Sequence, residues 1–63
     1  MNDTVNFEIM RNGDFPWRFD IKTKHILFEK EVHVGAVDLF KAMEEITEHI
    51  NNEYNMAVTF TIA

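Results

Sequence analysis

Apolar residues follow two rhythms along this chain. Val5, Phe7 and Ile9 alternate with Asn6, Glu8 and Met10, the period-two pattern of a strand with one buried face. Arg11-Asn12-Gly13-Asp14 is a hairpin signal, after which Phe15, Trp17, Phe19 and Ile21 alternate with Pro16, Arg18 and Asp20. A two-residue Asn-Gly loop would set Phe7 opposite Arg18 and put the two apolar sets on opposite faces. A three-residue loop over Arg11–Gly13 instead sets Phe7 opposite Trp17 and Ile9 opposite Phe15. Gly13 then takes the left-handed conformation that glycine tolerates. The three-residue loop is the expected one, and it places Trp17 in the core against the helix.

A polar turn over Lys22–His25 would set Ile21 opposite Ile26 and Phe19 opposite Phe28. The third strand then carries Ile26, Phe28, Val32 and Val34 inward. Lys30 shares their parity, so either the strand bends at Glu29–Glu31 or Lys30 is an inward charge that discourages edge pairing. Pro16 cannot donate to a ladder, so the third strand should leave the second before reaching it.

The second rhythm runs from Ala36 to Tyr54. Phe40, Met43, Ile46, Thr47, Ile50 and Tyr54 recur at three- and four-residue steps, with Leu39 beside them, and predict one amphipathic helix. Gly35 separates it from the strand before. Gly35 or Asp38 is the expected cap, and the Asp38 carboxylate suits the positive helix end. Beyond Asn55, Met56, Val58, Phe60 and Ile62 alternate with Ala57, Thr59 and Thr61 as a last strand.

The predicted fold is therefore α+β in the order β-β-β-α-β: a two-layer domain with one helix on a four-strand mixed sheet. A right-handed crossover places the last strand beside the first, giving the spatial order 3-2-1-4. Leu27 and Met10 are apolar exceptions on an otherwise polar open face that also holds Arg18 and Glu29.

Sixty-three residues make one domain, 1–63, with a small core and no cysteine to staple it. Self-association as a homodimer is the expected supplement. The N-terminus lacks the basic and apolar regions of a signal peptide, and no run approaches the ~20 apolar residues of a membrane span. A cytoplasmic protein is expected, without membrane contact.

Charge changes the picture more. The net charge of −5 lies wholly in the second half. There Lys41 stands alone against Glu31, Asp38, Glu44, Glu45, Glu48 and Glu53, whereas residues 1–30 balance. Direct nucleic-acid binding is disfavoured, because phosphate contacts need a basic surface.

Catalytic and metal chemistry find little here. The chain has no serine or cysteine nucleophile and no phosphate loop, and no cofactor is expected. One metal-ligand spacing exists, Glu45-x-x-x-His49-x-x-x-Glu53, but such spacing also arises by chance on a polar helix and no buried supporting shell accompanies it. The chain is not expected to be an enzyme, with a metal-binding or enzymatic unit at His49, Glu45 and Glu53 as the alternative. A purely structural or oligomerisation domain is a further alternative.

The outer helix face remains: Glu44, Glu45 and Glu48, with Lys41 and Asn52. It is either a solvated surface, with Lys41 pairing Glu45 one turn on, or a site for a partner protein with a basic surface. In the second case the carboxylates imitate phosphates. The chain would then act as a stoichiometric inhibitor of a nucleic-acid-handling or host-defence protein, of the kind carried by phages and other mobile elements. Leu27, Arg18, Glu29 and Met10 on the open face are the secondary interface candidates.

Overall fold

Alternation makes each strand bury one side, and those sides meet under a single helix. The computed structural model describes residues 3–13 and 17–63. They form β1 (Thr4–Asn12), β2 (Arg18–His25), β3 (Phe28–Gly35), a short 3-10 turn (Ala36–Asp38), helix α1 (Leu39–Tyr54) and β4 (Ala57–Ile62). The sheet runs β3-β2-β1-β4, with β1 antiparallel to β2 and parallel to β4. This is the expected mixed-sheet α+β fold, including its strand order. A meander followed by a helical crossover returns the last strand parallel to the first.

The core is Val5, Phe7 and Ile9 from β1, Ile21 from β2, Ala42, Ile46 and Ile50 from α1, and Met56. β1 supplies three of these because it lies between two strands and beneath the helix. Each fully buried side chain of this size contributes about 1.5–3 kcal/mol.

Both hairpins differ from expectation in register and agree in face. Ile9 pairs with Ile21 rather than Phe15, and Asn12 with Arg18, so β2 sits six residues further along. Phe7 consequently faces Thr23, whose hydroxyl donates to the Asn6 carbonyl at 2.8 Å. In the second hairpin Ile21 pairs with Val32 and Phe19 with Val34, again six residues from the expected partners. Both displacements are even, so the side chains that lie within the strands keep their predicted faces. The second turn is the two residues Ile26-Leu27, not Lys22–His25, and Ile26 is 94% exposed. Gly13 has φ +93°, the positive value foreseen for it. Pro16, Phe15 and Asp14 lie outside the described residues.

Trp17 does not enter the core. It precedes β2 with 47% of its surface exposed, and the Arg11 guanidinium lies 4.7 Å from its ring centre. Phe19 and Ile21 fill the helix side of β2 instead. β3 is continuous through Lys30, which stays on the helix side opposite Thr23 as an inward charge.

The buried face of α1 is Ala42, Ile46 and Ile50 at four-residue steps, with Leu39 and Met43 half-buried beside them. Phe40, expected in that face, is 75% exposed. Tyr54 is outside the core as well, and stacks on Phe28 of β3 at 4.8 Å between ring centres. Asp38 stands at the N-cap without a side-chain capping bond. At the other end Asn55 is left-handed (φ 53°, ψ 44°) and its N–H donates to the Asn51 carbonyl. Asparagine is the residue other than glycine that most readily takes this role, and here it turns the chain into β4.

Candidate functional site

The rotation of α1 decides what its outer side can do. With Ala42 at the centre of the buried face, Phe40 is turned toward β4. Phe40, Met43, Glu44, Thr47, Glu48 and Phe60 line a shallow trough of about 390 Å³ between helix and strand. Phe60 is anchored beneath, its ring tilted against Phe7 at 5.7 Å. Ile62, 75% exposed, lies further along the same strand. The trough is thus apolar at its floor and carries two carboxylates, one helical turn apart, on the helix wall.

Lys41, Glu44, Glu45, Glu48 and Asn52 are all exposed, as their periodicity predicts. The structure does not gather them into one patch. Glu44 and Glu48 reach the β4 side, whereas Glu45 lies on the β3 side with Lys30, Val32, Ile46 and His49. The expected Lys41–Glu45 ion pair is not formed. Among the described residues the ion pairs are Lys22–Glu31 at 3.6 Å and His33 with Asp20 and Glu31, all on the open sheet face.

That open face is a bonded polar layer. His33 Nδ1 lies 2.7 Å from Asp20 and its Nε2 3.2 Å from Glu31. Asn12 donates to the other Asp20 oxygen at 3.1 Å. Asp20 is nearly buried, and the hydrogen bond from His33 holds its carboxyl below the ordinary carboxylate range. Thr59 and Thr61 both donate to the Asn6 side-chain carbonyl at 3.0 Å. Of the secondary candidates, Met10, Arg18 and Glu29 lie on this face, paired with Asp20, Gly35 and Lys24. Leu27 does not: it sits in the β2–β3 turn, its N–H donating to His25 Nδ1.

The Glu45–His49–Glu53 spacing does not become a metal centre. Among the described residues no three histidine, cysteine or carboxylate groups are gathered closely enough to hold an ion. His49 instead meets the edge of Tyr54 at 6.2 Å.

Sequence reasoning missed Phe40 as a surface residue by assigning it to the core, whereas Phe60 packs against the core as expected and also lines the trough. The signal was present in Ala42. Counting that small residue as apolar turns the stripe to Ala42-Ile46-Ile50 and leaves Phe40 outside it. Compared with known proteins, the chain matches no family model, no curated protein and no solved structure.

Proposed function

We propose that this chain is a non-enzymatic protein-binding module that docks on a basic partner surface through the acidic side of α1. The observation carrying this reading is Phe40, three-quarters exposed beside Glu44 and Glu48 at the trough. An exposed aromatic side chain at the edge of an apolar trough is the usual form of a binding anchor, and rim carboxylates steer and orient a basic partner. The class of protein offering such a surface is one that handles nucleic acid. There Glu44 and Glu48 would stand where phosphates bind, with Glu45 adding to the acidic field from the far side of the helix, and occupancy would inhibit stoichiometrically.

The test is the triple reversal Glu44→Lys, Glu45→Lys and Glu48→Lys. All three side chains are exposed, so the variant should keep the wild-type circular dichroism and melting curve. Capture of the partner should be lost. Wild-type affinity should also fall as salt rises, since exposed charges are screened beyond about 8 Å at physiological ionic strength. Affinity that survives both treatments would make the helix a bystander and move attention to Met10, Arg18 and Glu29.

A further inference from the structure

The strand beside the trough, β4, is an edge of the sheet, and among the described residues no further strand pairs with it. In β4 the amides of Ala57 and Ala63 donate to the carbonyls of Asp3 and Ile9. Backbone groups alternate sides along a strand, so Thr59 and Thr61 also face β1. The N–H and C=O groups of Val58, Phe60 and Ile62 therefore point away from the sheet. No described residue bonds to those amides outside the sheet ladder. From Ala57 to Ala63 there is no charged side chain and no proline, two of the devices by which edge strands refuse new partners.

We propose that β4 takes up an extended basic segment of the partner as a fifth strand, with its helix-side residues entering the Phe40 trough. The proposal rests on the protein-binding reading above and names the form of its ligand. A strand added beside β4 shows alternate side chains to α1. One apolar residue there would meet Phe40, Met43 and Phe60, and lysine or arginine two positions either side would approach Glu44 and Glu48. The recognised pattern is basic-x-apolar-x-basic. Main-chain bonds supply affinity in such strand addition, and the alternate side chains supply specificity.

Charge also selects against a second copy of this chain at the same edge. Antiparallel pairing of two β4 strands about a two-fold axis would bring both helices, each with Glu44 and Glu48, to one junction. A basic segment neutralises those carboxylates, whereas a second copy doubles them.

The probe is the peptide Lys-Thr-Arg-Thr-Leu-Thr-Arg-Thr-Lys, titrated into the isotope-labelled full chain and followed by amide NMR and hydrogen exchange. Val58, Phe60 and Ile62 amides should shift and gain protection. Two control peptides should do neither: one with glutamate at every basic position, and one with leucine moved one place along, so that no register puts leucine and arginines on one side. Ile62→Pro removes an outward donor without touching the β1 ladder, and Ile62→Ala controls for the lost side chain. The proline variant should bind on the order of threefold to tenfold more weakly than the alanine variant, the worth of one hydrogen bond.

Equal binding by the two variants, or no protection at Val58, Phe60 and Ile62, would overturn strand addition. If Glu44→Lys with Glu48→Lys still abolished partner capture in that case, the acidic docking reading would stand without it. Protection of these amides in the free protein together with a doubled sedimentation mass would make the occupant a second copy and overturn the proposal.

Discussion

The two edges of this sheet are built on opposite rules. β3 carries Glu29-Lys30-Glu31 and His33, tied across its face to Lys22 and Asp20. Lys30 points to the helix side, and a strand arriving there would have to desolvate a charge. β4 has no charged side chain, ends in exposed Ile62 and lies beside exposed Phe40. One edge is guarded and the other is open. The trough lies at the open one, so the charge that β4 lacks reappears on the helix above it. Guarding and recognition are thus divided between the two sides of a single small sheet.

The largest expected effect tests whether the two edges share one foundation. Phe7 is fully buried in the central strand, and Phe7→Ala should cost about 3–5 kcal/mol. Urea unfolding should show both edges lost in a single transition. Separate transitions for β3 and β4 amides would mean that the edges are independent units, and the contrast between them would lose its structural basis.

A smaller effect sharpens the asymmetry. Tyr54 stacks on Phe28 and so pins the end of α1 to β3. Tyr54→Ala should cost about 0.5–1.5 kcal/mol for the aromatic pair itself. Hydrogen exchange should speed at the Phe28 end of β3 and stay unchanged at Thr61. Uniform acceleration across the sheet would show that the stack is not specific to the guarded edge.

The smallest effect is acid sensitivity, expected only on the charged side. His33 holds the folded-state Asp20 carboxyl below its unfolded value. Its stabilisation is therefore complete above the unfolded value of about 3.9 and is lost as pH falls through the lower folded one. As pH falls below about 4 the wild-type denaturation midpoint should fall more steeply than that of Asp20→Asn. β4 has no ionisable side chain to add to the slope. Identical slopes would show that the Asp20–His33 contact contributes no linked stability.

The faces, the element order and the crossover were legible in the residues themselves. Period two marks the strands and a 3.6-residue period marks the helix, and a meander followed by a helix leaves β4 beside β1. Local chemistry also announced Gly13, and left Lys30 between a bend and an inward charge, of which the continuous β3 takes the second. Register was not legible. Faces repeat every two residues, so pairing Ile9 with Phe15 or with Ile21 satisfies the same alternation, and only packing under the helix separates the two. Helix rotation was misread, because Phe40 and Ala42 are both apolar and lie on nearly opposite sides of the helix, and the stripe was drawn through the larger of the two. The small residue won, allowing α1 to approach the sheet and turning the aromatic ring out beside Glu44 and Glu48. Chain periodicity thus determined which residues share a side. Tertiary contact decided which of them meet, because distance between strands and around a helix is set by the shapes packed there and not by spacing along the chain.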